Sequence, residues 1–185
     1  MTELYLARHG ATEWSVSGRH TGTTDLPLLP EGEQTARTLA ARLSDVDFEL
    51  VLTSPRQRAR RTAELAGFPD AEVDGDLAEW DYGDYEGITT DEIRERDPGW
   101  TVWRGVVPGG ESAEQVSARL DRVIGRVRAV EGQALVFGHG HALRALAARW
   151  LGLPVSEGRL LRLDTATLSV LGSEREQPVV LHWNS

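Results

Sequence analysis

The sequence predicts a three-layer α/β domain, a sheet with helices on both faces, from three observations. Apolar runs of strand length alternate with amphipathic helical stretches as far as about residue 153. Three of those runs, at residues 3–7, 48–53 and 134–137, stop on polar clusters rich in Gly, Arg and His. In open α/β sheets such strand ends are where ligands bind. The last apolar segments follow one another without helices between them, so part of the sheet is expected to be antiparallel.

The first strand is the run Leu4-Tyr5-Leu6-Ala7, which ends at Arg8-His9-Gly10. Arg8 offers a planar fork of donors suited to phosphate. His9 offers a neutral nitrogen near pH 7, able to act as base, nucleophile or metal ligand. Gly10 is expected to let the backbone approach a ligand. Residues 15–25, with Gly18 and Thr21-Gly22-Thr23-Thr24, read as a long irregular loop. A helix follows over residues 31–43, with Ala36, Leu39, Ala40 and Leu43 on one face.

Residues 48–53 form a buried strand. Ser54-Pro55-Arg56-Gln57 then reads as a helix start, with Ser54 as N-cap, Pro55 at the first helical position and Gln57 closing a capping box. That helix ends near residue 66, before Gly67 and Pro69. Arg58 falls in its first turn, where the helix dipole disfavours a cation; the mismatch points to an anion nearby.

Residues 70–77 contain a short strand. An acidic and aromatic run follows, Glu79-Trp80-Asp81-Tyr82-Gly83-Asp84-Tyr85-Glu86-Gly87. A short helix is expected over 90–96, a loop over 100–110, and a helix from a second capping box, Ser112 with Gln115, to about residue 130. The strand at 134–137 ends at Gly138-His139-Gly140-His141 and leads into a helix with Leu143, Leu146, Ala147 and Trp150 on one face. Segments 159–163, 167–171 and 179–183 read as closing strands. With no repeat or linker, residues 1–185 are expected to form one domain.

Charge and composition narrow the function. Asp and Glu exceed Lys and Arg by 29 to 20, a net charge of −9. That argues against nucleic acid or a membrane surface as partner. An anionic ligand would need local Arg and His to reverse the sign, which they can do because salt screens distant acids beyond about 8 Å. No stretch is apolar enough to span a membrane, and the N-terminus enters a strand without a leader-like run. There is no Cys, which excludes disulfides and Cys-based zinc sites. The expected location is cytoplasmic; no oligomeric state is indicated.

Parallel strand ends share one sheet edge, so Arg8-His9-Gly10, Ser54 with Arg58, and Gly138-His139-Gly140 should meet there. Glu79 joins them from the acidic loop. Two Arg can hold phosphate oxygens in bidentate fashion, and the helix after His139 aims its free N–H groups at the same place. A metal hydrolase would use His9, His139, His141 and Glu79 as ligands, but two Arg repel a cation and the His pair lacks the i, i+4 spacing of helical zinc motifs. A non-catalytic phosphate-binding module would need neither His9 nor Glu79.

The ordered blocks Arg8-His9-Gly10, Thr12-Glu13-Trp14, Thr21-Gly22, Ser54-Pro55 with Arg58 and Thr62, Leu77 with Glu79, Gly83 with Glu86-Gly87, and His139-Gly140 carry a resemblance. The chain resembles the histidine phosphatase superfamily, which includes cofactor-dependent phosphoglycerate mutases. The resemblance implies a mixed, mostly parallel sheet between helices. By it, His9 is similar to the nucleophile that becomes phosphohistidine, and Arg8, Arg58 and His139 to the phosphate pocket. Glu79 is similar to the proton donor. Ser15 falls at another phosphate contact, and Thr21-Gly22 on the substrate-side loop. Tyr82, Gly140 and His141 are further candidate substrate contacts, with a helix-start role as the alternative for His141.

The segment between Gly87 and Gly110 is shorter than the clamp of the mutases. The blocks around Glu79 and His139 look most like the phosphatase branch, similar to sedoheptulose-bisphosphatase-like enzymes and broad acid phosphatases. This implies hydrolysis of small phosphorylated metabolites, sugar phosphates above all, without metal or cofactor. A phosphoglycerate mutase is the alternative. Thr21, Thr23, His141 and Arg104 are expected to meet hydroxyls or a second phosphate. His20 and His182 receive no role, and Trp14, Trp80 and Trp103 are read as core or pocket wall.

Overall fold

The structure, a computed structural model, describes residues 2–185. A six-stranded sheet has the order β3-β2-β4-β1-β5-β6. Its strands are β1 (Glu3–Arg8), β2 (Phe48–Thr53), β3 (Glu72–Val73), β4 (Gln133–Gly138), β5 (Leu168–Glu174) and β6 (Gln177–His182). β1, β2, β3 and β4 run parallel; β5 and β6 run antiparallel to their neighbours. The expected mixed, mostly parallel sheet is therefore present.

Strand alternation divides the core into two layers. Leu4 and Leu6 of β1, with Ala134 and Val136 of β4, face one side and meet α5 (Ala113–Arg128) and α6 (Gly140–Trp150). Ala7, Leu135 and Phe137 face the other and meet α2 (Pro30–Leu43) and α3 (Gln57–Leu65). This is why β1 and β4 read as continuous apolar runs: both faces are covered. Each fully buried Leu contributes roughly 1.5–3 kcal/mol, so Leu6→Ala should cost about 2–5 kcal/mol.

Three local expectations are corrected. Residues 15–25 are not wholly irregular: the short helix α1 (Glu13–Ser17) enters them, started by a capping box in which Thr12 and Ser15 exchange hydrogen bonds. Ser54 does not cap α3. Pro55 and Arg56 precede the helix, and Asp25, distant in sequence, accepts the Gln57 N–H at 2.8 Å. The short strand expected within 70–77 is present as the two residues of β3, followed by a 3-10 turn, Gly75–Leu77. Segment 159–163 is no strand; a 3-10 helix, Val155–Leu160, packs beside α6 instead. The Ser112–Gln115 capping box is present as read, and α4 (Thr90–Arg94) has one of its own from Thr89 and Glu92.

Candidate active site

Register brings the three strand ends together. Arg8 pairs with Gly138 across β1 and β4. The His9 N–H donates to the Gly138 carbonyl and the Ser54 N–H to the Phe137 carbonyl, both at 3.0 Å. Gly10 has a different reason from the one expected: a Cβ there would lie 2.3 Å from the Gly32 carbonyl oxygen, so glycine is needed for packing against α2 rather than for a ligand. The Gly10 N–H donates to Thr62 Oγ1, whose hydroxyl donates to the Arg58 carbonyl.

The ring of His9 is buried, and its tautomer follows from its partner. Nδ1 lies 2.7 Å from the Gly10 carbonyl oxygen, which can only accept, so Nδ1 carries the proton. The lone pair is then on Nε2. Burial first, then the Arg8 and Arg58 charges, hold the His9 pKa well below its ordinary value. Its neighbour His139, with ring centres 5.2 Å apart, has the opposite tautomer. Arg58 Nε–H donates to His139 Nδ1 at 3.1 Å, so Nε2 carries the proton and donates to Ser54 Oγ at 2.6 Å. Burial, then Arg58, keeps His139 neutral as well. The Ser54 hydroxyl is thus a partner of the site, and its oxygen also accepts the Arg56 N–H at 3.3 Å.

A cavity of about 230 Å³ opens over these strand ends. That is below the roughly 300–1,000 Å³ of typical drug-sized pockets and suits one small metabolite. Of the residues expected from sequence, Arg8, His9, Ser15, Thr21, Glu79, Tyr82, Gly140 and His141 line it. Arg58, His139 and Gly22 do not. Arg58 is fully buried, and its Nη atoms donate to the carbonyls of Thr21 and Thr24 at 2.9 Å. Gly22 is packed under the site, where a Cβ would lie 2.4 Å from the Trp80 carbonyl oxygen. Thr23 and Arg104 are also not in the lining; Trp14, His20, Thr90 and Arg144 are.

Arg8 donates from Nη1 to the Leu163 carbonyl, while its buried Nε has no partner. An orphaned guanidinium N–H is costly unless something fills it. Gly140 leaves room for this group, since a Cβ there would lie 3.3 Å from Arg8 Cζ. The carboxyl oxygens of Glu79 accept three backbone N–H groups: Trp80 at 2.9 Å, His141 at 3.0 Å and Ala142 at 2.8 Å. The last two belong to the first turn of α6, so Glu79 caps that helix across the cavity.

Sequence reasoning missed three contributors. Glu86 accepts the N–H groups of Gly22 and Thr24 at 2.9 Å and fastens the loop whose carbonyls hold Arg58. Its place in the Glu86-Gly87 block was the available signal. His20 packs on Tyr82, with ring centres 4.6 Å apart, and lies 3.2 Å from Thr90 Oγ1. Burial lowers its pKa to about 4. Arg144 lies over the Trp103 ring and donates from Nε to the Gly158 carbonyl. The Tyr82 hydroxyl lies 2.6 Å from His141 Nδ1, and burial raises its pKa well above the ordinary value.

The sequence model of the histidine phosphatase superfamily, branch 1, matches residues 4–185. The chain belongs to that family. It is a histidine phosphatase, a hydrolase of phosphoric monoesters. The phosphatase is 42% identical over 175 residues to an acid phosphatase of Mycobacterium tuberculosis, covering 92% of this chain and 86% of that one. It is 42% identical over 185 residues to the sedoheptulose 1,7-bisphosphatase of Saccharomyces cerevisiae, covering 82% and 68%. The solved structure of a Mycobacterium tuberculosis open reading frame product superposes with a TM-score of 0.95 at 40% identity, covering 99% and 97%. Among the described residues of the phosphatase no group of three or more acidic or His side chains is placed to hold a metal ion, and no helix is long and apolar enough to cross a membrane.

Proposed function

We propose that this chain hydrolyses small phosphorylated metabolites, sugar phosphates in particular, with His9 as nucleophile and Glu79 as proton donor. The observation that carries the reading is the His9–Gly10 contact. It places the proton on Nδ1 and leaves the Nε2 lone pair on a ring that lines the cavity beside Arg8. Nε2 attacks phosphorus, the phosphorus–oxygen ester bond breaks, and the leaving oxygen takes a proton from Glu79. The phosphoimidazole is cationic, and the Nδ1–H bond to Gly10 stabilises it. Water then attacks phosphorus and gives its proton to Glu79, releasing phosphate and neutral His9.

Arg8 lines the cavity and holds phosphoryl oxygens there with its guanidinium, and Ser15 lies on the same wall. Arg58 and His139 stay out of the cavity lining: Arg58 supplies positive charge and the neutral His139 ring packs against His9, while their hydrogen bonds go to protein atoms. Such positioning and charge carry most of phosphoryl transfer. Thr21, His20, Tyr82, His141 and Thr90 give the outer cavity neutral polar groups suited to hydroxyls. Arg144, rather than Arg104, supplies the cation for a second anionic group. The acid phosphatase and the sedoheptulose bisphosphatase named above support this substrate class.

The test is a panel of phosphorylated metabolites assayed for phosphate release, with 3-phosphoglycerate plus 2,3-bisphosphoglycerate as the mutase control. Release from sugar phosphates, undiminished by EDTA, is the expected result. Fast interconversion of phosphoglycerates with little free phosphate would overturn the reading, as would loss of activity restored by zinc or magnesium.

A further inference from the structure

Glu79 sits between two 3-10 turns, Gly75–Leu77 and Gly83–Tyr85, in a segment with no strand or α-helix of its own. One ion pair, buried at Arg119 and half-buried at Glu111, grips both of its flanks. Arg119, from the middle of α5 and 7% exposed, donates from Nη1 to the carbonyls of Asp76 at 2.7 Å and Ala78 at 2.8 Å. Its Nε and Nη2 donate to the two carboxylate oxygens of Glu111 at 2.8 and 2.9 Å. Glu111 Oε2 also accepts the Asp81 N–H at 3.0 Å, and the Glu111 carbonyl accepts Trp80 Nε1–H at 2.9 Å. The Glu111 N–H donates to the Asp81 carbonyl at 3.0 Å. Residues 76 and 78 on one side, and 80 and 81 on the other, are thereby tied to one bidentate pair. Neither member of the pair lines the cavity.

We infer that Arg119 and Glu111 are positioning residues that hold Glu79 at the leaving-group oxygen; the inference rests on the proton-donor role proposed above. A general acid works only within hydrogen-bond reach of the atom it protonates. A misplacement of about 1 Å can cost on the order of 100-fold in rate. Stability does not require the pair, since a buried bidentate ion pair is often no more stabilising than apolar groups of equal volume. What it supplies is a fixed geometry, because a planar guanidinium and a carboxylate meet in few orientations. The same face of α5 carries an internal comparison: Arg122 pairs with Asp76 at 2.6 Å, but that arginine is exposed and reaches only one flank.

The experiment compares Arg119→Lys and Glu111→Gln with the parent chain on two substrates. Glycerol 2-phosphate has an alkoxide leaving group that needs a proton; p-nitrophenyl phosphate has one that scarcely does. Both variants should lose kcat/KM on glycerol 2-phosphate by about 10- to 100-fold and much less on p-nitrophenyl phosphate, because kcat/KM reports formation of the phosphoenzyme, before the water step that the two substrates share. Adding Arg119→Lys to Glu79→Gln should cost nothing more on glycerol 2-phosphate, since groups acting through one another are not additive. Arg122→Ala should leave both rates unchanged. Equal losses on the two substrates, or full additivity with Glu79→Gln, would overturn the inference and make the pair structural. If Glu79→Gln itself shows no leaving-group dependence, the proton-donor role fails and the inference with it. Should Arg119→Lys not fold, Glu111→Gln decides alone.

Discussion

The two halves of the cavity are built differently. The phosphate half stands on strand ends: backbone register sets Arg8, His9 and His139, and a close contact between Gly10 and Gly32 fixes the turn behind His9. The leaving-group half stands on loops. There Glu79 and Glu111 use their carboxylates to gather backbone N–H groups that no strand or helix satisfies. Main-chain hydrogen bonds tolerate most side-chain substitutions, whereas a carboxylate that organises a loop is a single point of failure. Damage to the first half should therefore abolish chemistry, and damage to the second should change which substrates are handled well.

The largest expected effect is at the centre of the rigid half. His9→Ala should lower phosphate release by more than about 10⁴-fold, as loss of a nucleophile does in other covalent enzymes. Its melting temperature should stay close to that of the parent. Retention of a hundredth of the activity would show that His9 is an accessory and remove the basis of the comparison.

Next comes the loop half. Glu79→Gln should lose about 10²–10⁴-fold on sugar phosphates, the usual worth of general acid–base help, and visibly less on p-nitrophenyl phosphate. A uniform loss of kcat/KM, which ends at departure of the leaving group, would assign Glu79 to capping α6 only. Glu86→Ala sharpens the contrast. It unfastens the 21–24 loop but leaves Glu79 alone, so its smaller loss should be equal on both substrates. The unpaired N–H groups should cost about 1–3 kcal/mol, read as a melting temperature lower by roughly 2–10 °C for a chain of this size. A substrate-dependent loss would merge the two halves.

The smallest effect concerns pH. His20 is buried, and its pKa falls from 6.5 to about 4 on folding. Between those values the unfolded chain carries a proton on this side chain that the folded chain does not. Stability must then decrease as pH falls from about 6.5 to about 4, by roughly 3 kcal/mol over the full window. His20→Gln should flatten this part of the stability profile, measured by urea unfolding at pH 7, 6 and 5. An unchanged slope would show that His20 titrates normally. His9 and His139, shifted in the same direction, should also keep the nucleophile neutral in mild acid. The acid limb of activity should then lie below pH 6.5.

Much of the rigid half was legible before any coordinates. Apolar runs with both faces covered announce parallel strands, and polar clusters at their ends announce a shared edge. From Leu4-Tyr5-Leu6-Ala7 before Arg8-His9, and Ala134–Phe137 before Gly138-His139, the meeting of His9 and His139 follows from topology alone. The loop half was legible only in part. Glu79 stood out by its motif, but its three N–H partners did not, because two of them lie some 60 residues away in the first turn of α6. Ser54 was misread for the same reason. Its local pattern is that of a helix cap, yet the helix starts only at Gln57, and Ser54 Oγ accepts the Arg56 N–H while also bonding His139.

Residue order and patterning by themselves determined the layered α/β architecture, the strand ends that form the site and the chemical character of what gathers there. Periodicity and covalent adjacency are local, and so are the preferences that set them. Only the tertiary structure decided which Arg faces the cavity, which tautomer each His adopts, and why Gly10 is glycine. It also decided that Arg58 spends its donors on loop carbonyls and that Arg119 and Glu111 hold the flanks of Glu79. Each of these depends on a hydrogen-bond partner far along the chain, and a polar group takes whichever partner folding brings within about 3 Å.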